Sequence, residues 1–306
     1  MPTTVAGMLN MVWTHPANRG RRVRALAGMA AWQAWKRMVR RPVDLRIYDD
    51  LTFRAYPDST APGRFIYFGG LPDYEEMTFM RHYLRPGDGF LDGGANEGMF
   101  TLLAAKLVGS TGEVHAFDAV PVYLDRLRDN LRSNRMDWVT VHPQALGAEA
   151  GPTSFVLRGT GSRIQTSPGQ GKTVAASIVR LDDVIPERRW AMGKLDIEGA
   201  ELLALKGASA LFERHEPAVW MLELVDRQLE RFGASIHTVR QWLDDRGYDL
   251  VLYEPEHRRF VTAPDPLYPL ADALALSRLR RPEVEARISA DPSSTGIDLR
   301  ARAERP

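Results

Sequence analysis

Five carboxylates fall where an apolar run gives way to a turn: Asp92, Asp118, Asp196, Glu198 and Glu223. Acids so placed can hold a cation, grip paired hydroxyls or take a proton from an attacking group. The first two belong to one continuous unit, residues 90–118, reading FLDGGANEGMFTLLAAKLVGSTGEVHAFD. Phe90 and Leu91 close a short apolar run, Gly93, Gly94 and Gly98 allow a tight turn, and Met99 to Val108 carries the spacing of a buried helix. Val114 to Phe117 supplies a second strand. Asp118 stands 20 residues beyond Gly98, the usual place for an acid that meets the two hydroxyls of an adenosine ribose. Strand, glycine turn, helix and strand in this order make a nucleotide-binding half-fold.

The kind of nucleotide turns on Asp92. Gly93, Ala95 and Gly98 only approximate a dinucleotide fingerprint, and Asp92 sits at the mouth of the turn, where a nicotinamide or flavin dinucleotide would place its pyrophosphate. Carboxylate against phosphate is a like-charge contact that costs stability once solvent is excluded. S-adenosylmethionine carries no phosphate and offers an ammonium and a sulfonium, both of which an acid favours. The plainer alternative is a bent turn in which Asp92 only caps the helix that follows. The second acid, at the end of the next strand, favours a binding site over that alternative.

The segment Lys194-Leu195-Asp196-Ile197-Glu198-Gly199-Ala200-Glu201 reads as strand, turn and helix. In an open parallel sheet, ligands bind beyond the carboxyl ends of the strands, so Asp196 and Glu198 should share a crevice with Asp92 and Asp118. Acids also favour the positive end of a helix, which accounts for Glu201 but poorly for Asp196, still within the apolar strand.

DGGANEG, AFD and KLDIEGAE together resemble the FkbM family of S-adenosylmethionine-dependent methyltransferases over about residues 65–255, DIEGAE being the most specific element. The resemblance implies a class I, Rossmann-like α/β fold and methyl transfer to a hydroxyl of a glycan, glycolipid or secondary metabolite. By position it assigns Asp92, Gly93, Gly94, Ala95, Asn96 and Gly98 to the cofactor loop and Asp118 with Ala119 to the ribose. Gln144 and Ala145 match the turn beside the adenine, and Asp196 with Glu198 the active-site motif. One departure stands out: the family's ribose acid is usually glutamate followed by proline, whereas here the order is Asp118, Ala119, Val120, Pro121. A shorter acid still reaches a ribose if the backbone moves closer.

The elements that must position these residues follow in order. Pro121 to Asn134 is a helix with Leu124, Leu127 and Leu131 toward the sheet, and Trp138 to Val141 a strand. Thr153 to Leu157 and Val174 to Val179 are extra strands around a loop rich in Gly, Ser and Thr, residues 158–171. Then come a helix from Glu201 to Phe212, a strand from Ala218 to Leu224 and a helix from Ile236 to Arg246. Tyr248 to Tyr253 with Arg259 to Thr262 forms a closing hairpin. The expected architecture is a mostly parallel, seven-stranded sheet with helices on both faces. Before it, Phe65 to Leu84 is rich in aromatics and acids. Tyr67, Phe68, Tyr74, Glu75 and Glu76 are candidates to cover the crevice, while Met77, Met80 and Leu84 pack on the sheet.

At 306 residues, 44% apolar and a formal charge of +1, the chain can bury a full core, and its charge favours no nucleic-acid partner. With no cysteine there is no disulfide, zinc-thiolate or thiolate chemistry, which fits a cytoplasmic enzyme. Residues 1–45 form a basic extension expected to be helical, residues 46–270 the catalytic domain with a preceding segment 46–88, and residues 271–306 a polar tail, of which most of residues 276–306 is expected to be mobile. No acid precedes Asp44, while Arg19, Arg21, Arg22, Arg24, Lys36, Arg37, Arg40 and Arg41 bracket Ala25 to Trp35. Such a segment can touch an anionic membrane as a peripheral element; the favoured reading is a helix that covers the domain.

Methyl transfer to an alcohol needs alignment and a proton acceptor, for which Asp196, Glu198 and Glu223 are candidates. The same acids can instead hold a divalent cation. His215 and His237 read as surface residues. Two rival functions share the half-fold: a nucleotide-dependent oxidoreductase or epimerase, and a methyltransferase with a nitrogen acceptor. The latter usually carries Asn/Asp-Pro-Pro-aromatic where this chain has Asp196-Ile197-Glu198-Gly199. Asp265-Pro266-Leu267-Tyr268 is a near match but lies past the hairpin and reads as a turn.

Overall fold

The computed structural model describes residues 4–39, 41–48, 50–59, 66, 71–157, 162–166, 171–267 and 272–290. Tyr67, Phe68, Tyr268, residues 158–161 and 167–170 of the Gly/Ser/Thr-rich loop, and residues 291–306 lie outside them.

The basic amino-terminal segment forms two helices, α1 (Val5–Thr14) and α2 (Arg22–Met38), followed by an antiparallel hairpin of β1 (Val43–Ile47) and β2 (Leu51–Ala55). Val12, Ala25, Met29, Trp32 and Ala55 bury a small core between them, and the buried Asn18 donates to the Val12 carbonyl at 2.8 Å. Next comes α3 (Tyr74–Tyr83), with Glu75 and Glu76 in its first turn and Arg81 and His82 in its last, which suits both ends of the helix dipole. Its inner face is apolar at helical spacing, Met77, Phe79, Met80 and Tyr83 all being buried, and Phe79 stacks on Tyr83.

The central unit alternates strand and helix. β3 (Gly89–Gly93), α4 (Met99–Val108), β4 (Glu113–Phe117), α5 (Pro121–Ser133) and β5 (Val139–His142) are followed by a small side sheet. Its strands β6 (Ala145–Leu146), β7 (Gly151–Val156), β8 (Arg163–Ile164) and β9 (Thr173–Val179) lie in the order β6-β9-β7-β8. After a short α6 (Leu181–Val184) the chain returns to the centre as β10 (Met192–Leu195), α7 (Glu201–Lys206), α8 (Ser209–Glu213) and β11 (Val219–Glu223). The single helix expected over Glu201 to Phe212 is thus two, parted at Gly207 and Ala208. α9 (Asp226–Leu229) and α10 (Ile236–Asp244) lead to the hairpin β12 (Tyr248–Glu254) and β13 (Arg259–Thr262), then β14 (Asp272–Ser277) and α11 (Arg281–Ser289).

Among the described residues the main sheet has eight strands in the order β13-β12-β14-β11-β10-β3-β4-β5. β5, β4, β3, β10 and β11 are parallel, and β14 runs antiparallel to both of its neighbours. This is the mostly parallel class I arrangement expected, with eight strands in place of the seven expected. β3 passes to β4 on one side, while β10 and β11 continue on the other, so the strand order reverses between β3 and β10, where such sheets bind ligands. Alternate strand residues enter two separate cores: Phe90, Met192, Met221 and Leu274 on one face, Leu91, Leu195, Leu222 and Ala275 on the other.

Two expectations need correction. The hairpin of β12 and β13 is present, but β13 lies at the edge, and the reversed strand inside the sheet is β14. That strand comes from residues 271–306, expected as a polar tail. Its sequence, DALALS, is short and apolar, and every residue after Asp272 is buried between β11 and β12. α11 follows and buries Val284 and Ile288, so this part of the segment is interior structure.

Candidate functional site

At the switch point, β3 runs straight into the glycine turn. Gly94 and Ala95 both donate their backbone N–H to the Phe117 carbonyl, at 2.9 and 3.0 Å, which ties the turn to the end of β4. Gly94 has φ +80°, and a Cβ there would stand 1.9 Å from the Asp196 carbonyl oxygen. The close approach of the two turns therefore requires glycine. Asp118 closes the loop from the other side: its Oδ2 accepts the Asn96 N–H and its Oδ1 the Val120 N–H, each at 2.8 Å. Burial pushes its carboxyl up to about 6, against the pull of those backbone donors.

Asp92 is fully buried rather than open at the mouth of the turn. Thr101, one turn into α4, donates to its Oδ2 at 2.5 Å, while the buried Oδ1 has no hydrogen-bond partner among the described residues; Asp92 is one of the residues that line the cleft. Parallel pairing sets Lys194 of β10 in register with Asp92. The Lys194 ammonium donates to Asp196 Oδ2 at 3.0 Å and lies 4.6 Å from the centre of the Phe100 ring. Burial opposes its charge, but Asp196 and Asp92 hold its pKa above the ordinary lysine value. Burial raises the Asp92 carboxyl, and Lys194 opposes that rise. Lys194 was legible only as part of the motif, and its role as internal counter-ion was missed.

Beyond Asp196 the chain turns sharply. Glu198 has φ +59°, and Gly199, at φ +107°, passes so close to Gln228 that a Cβ would stand 2.2 Å from its carbonyl oxygen. Glu201 holds this turn, its buried Oε1 accepting the Ile197 N–H at 3.0 Å and the Gly199 N–H at 3.2 Å. Burial brings Glu201 up to about 7. Gln228 donates to Glu198 Oε2 at 2.9 Å. Burial, and then Asp196, raise the Glu198 carboxyl. Glu223, at the end of β11, is raised much further by burial and by the charges of Asp196, Asp272, Glu198 and Glu201; its Oε2 has no hydrogen-bond partner among the described residues.

These elements enclose a cleft of about 240 Å³. Asp92, Gly94, Ala95 and Asn96 line it from the turn, Asp118 and Ala119 from β4, and Gln144 and Ala145 from the side sheet. Asp196, Glu198 and Glu223 line it from the two neighbouring strand ends. Of the expected residues, Gly93 and Gly98 are outside the lining; Gly93 faces Leu195 and Leu146 instead. Tyr74, Glu75 and Glu76 do not line it, and His215 lies before β11 against Tyr248 and Ser277. Phe100 and Tyr123 contribute walls that the motifs did not mark, and Glu97, inside the DGGANEG turn, lines the cleft as well. Glu97 is buried and accepts from Ser59 Oγ and Arg126 Nη1, both at 2.7 Å. Arg126 also grips Asp58, so the strand-β2 exit is fastened to the cleft wall. These partners lie about 30 to 70 residues apart in sequence, and no local pattern announces them.

The cleft suits a cationic nucleoside without phosphate. Its lining is rich in carboxyls, Asp92, Glu97, Asp118, Asp196, Glu198 and Glu223, and the Asp118 oxygens keep lone pairs beyond their backbone bonds. Among the described residues no group of three or more His, Asp or Glu side chains is arranged to hold a metal ion.

The methyltransferase FkbM domain matches residues 92–250. The 31-O-demethyl-FK506 methyltransferase FkbM of Streptomyces tacrolimicus is 31% identical over an alignment covering 44% of this chain and 65% of the relative. This chain therefore spans just under two thirds of that relative's length. Among solved structures, an FkbM methyltransferase from Methylobacillus flagellatus has a TM-score of 0.43 at 15% identity, over 83% of this chain and 60% of the other. A SAM-dependent O-methyltransferase from Thermotoga maritima has a TM-score of 0.39 at 14% identity, over 67% and 65%.

Proposed function

Since the chain belongs to the FkbM methyltransferase family, we propose that it transfers the methyl group of S-adenosylmethionine to a hydroxyl of a glycan, glycolipid or secondary metabolite. The observation that carries the reading is the meeting of carboxyls from three adjacent strand ends, Asp92, Asp196, Glu198 and Glu223, in one cleft with the glycine turn. S-adenosylmethionine supplies an electrophilic methyl carbon attached to a sulfonium. In this reading Asp118 accepts the ribose hydroxyls, and the Asp92 carboxyl stands toward the amino-acid end. Glu198 and Glu223 favour a positive charge near them, because each is held above its ordinary pKa by burial and by neighbouring acids. A carboxylate of this kind, once ionised, is a competent acceptor for a hydroxyl proton. Gln228 fixes Glu198 Oε2 and leaves the other oxygen to the acceptor.

The S. tacrolimicus relative is named for an O-demethyl substrate, which supports oxygen as the acceptor atom. Family membership displaces the nucleotide-dependent oxidoreductase or epimerase reading. We place the enzyme in the cytoplasm on its lack of cysteine; no helix among the described residues is long and apolar enough to cross a membrane. The test is incubation with methyl-labelled S-adenosylmethionine and fractionated hydroxyl-bearing extracts. Label should appear as an alkali-stable ether, and Glu198→Gln or Glu223→Gln should lower turnover about 10²- to 10⁴-fold. Label on nitrogen, or in no hydroxyl-bearing fraction, would overturn the proposal.

A further inference from the structure

The two amino-terminal helices bury one face and leave another uncovered. Val12, Ala25, Met29 and Trp32 are buried in a small core with the partly buried Val43 and Leu45 of the β1–β2 hairpin. On the outside, α1 exposes Val5, Leu9 and Trp13 at four-residue steps, one continuous stripe of large apolar side chains. α2 does the same from end to end: Val23 and Met38, 75% and 77% exposed, are joined along that face by exposed alanines at 27, 30, 31 and 34, and Val39 follows. Of the large apolar side chains exposed among the described residues, all but Val122 and Leu279 fall in this segment. Apolar surface gathered in this way marks a contact.

Charge identifies the partner. Residues 1–43 hold eight arginines and lysines and no acid, while the whole chain is only +1, so the remainder is net acidic. The cations stand at the two ends of the exposed stripe, with Arg22 and Arg24 at one and Arg37 at the other, and Arg22 lies over the Trp13 ring at 5.3 Å. A second copy of the chain would set these cations against themselves across a two-fold interface. An anionic phospholipid surface meets every part of the pattern: acyl chains receive Val5, Leu9, Val23 and Met38, Trp13 suits the headgroup boundary, and arginines meet phosphates. The helices are too short to span, so they lie in the surface plane.

We propose that the outer face of α1 and α2 docks the protein onto an anionic phospholipid surface, with the acidic catalytic unit turned to solvent. The experiment is sedimentation of the full chain with vesicles of phosphatidylcholine alone or enriched in phosphatidylglycerol. Binding should require phosphatidylglycerol and fall at high salt. Two independent variants, Val23→Asp/Met38→Asp and Arg24→Glu/Arg37→Glu, should each weaken it about tenfold or more. Both should keep their far-ultraviolet dichroism and S-adenosylmethionine affinity, which separates lost docking from lost folding. Equal binding to the two vesicle types, variants that bind as the parent does, or self-association that these variants abolish without any vesicle binding would overturn the proposal.

Discussion

Lys194 and Asp92 are register partners on adjacent parallel strands, and both are buried. The ammonium that offsets Asp92 also donates to Asp196, so one cation serves acids on two strands. Its removal should be severe, because a buried acid stripped of its partner keeps its full desolvation cost.

Lys194→Met should therefore lower stability by about 3–5 kcal/mol at neutral pH, and adding Asp92→Asn should return part of the loss. Urea unfolding of the two single variants and the double variant gives the coupling. The deficit should shrink as pH falls, since burial raises the Asp92 carboxyl and a protonated Asp92 carries no uncompensated charge. A loss under about 1 kcal/mol would show that the pair is not coupled in this way.

Asp118→Ala should weaken S-adenosylmethionine binding by about 10- to 100-fold, the value of a hydrogen bond to a charged group. Calorimetry on the folded variant measures it. An unchanged affinity would remove Asp118 from the ribose site.

Binding of the donor should release protons at pH 7. Glu201 and Glu223 stand at about 7 and well above it, each raised first by burial, so both hold protons near neutrality in the free protein. An arriving cation favours their ionised forms. Calorimetry in buffers of different ionisation enthalpy should show net release for S-adenosylmethionine and less for S-adenosylhomocysteine, whose sulfur is neutral. Asp118 and Glu201 fix the sign for the free enzyme. With folded pKa values above the unfolded ones, the native state binds more protons, so their contribution to stability falls as pH rises from about 4 to 6 for Asp118 and from about 4.5 to 7 for Glu201.

Gly94→Ala and Gly199→Ala should both be destabilising, by more than the roughly 1–3 kcal/mol of a left-handed non-glycine residue alone, because each Cβ meets a backbone carbonyl. Gly94→Ala should also abolish donor binding, since it parts the glycine turn from the Asp196 turn. Thermal unfolding and calorimetry separate the two effects; a Gly94→Ala protein with parental midpoint and affinity would contradict the close approach.

The parts of the site legible in sequence are those built from one local pattern. Asp92 to Gly98 and Asp196 to Glu201 each join a strand to a helix through a turn, and periodicity, glycine and acid mark them together. Lys194 was hidden because a lysine in an apolar strand carries no sign of the two acids that neutralise it. The partners of Glu97 were hidden, since Ser59 and Arg126 reach it from distant segments. β14 was misread for a related reason: six residues amid a charged carboxyl-terminal stretch look like tail until β11 and β12 are seen on either side.

That insertion also sets an order on assembly. Pairing places Asp272 opposite Glu223, so the strand end that bears a candidate proton acceptor is completed by an element synthesised only after β12 and β13. While the ribosome still holds residues 272–277, β11 is an open edge with apolar side chains and unpaired amides, free to take a strand from another chain. A nascent or truncated chain that stops before Asp272 is therefore the form of this protein most exposed to aggregation.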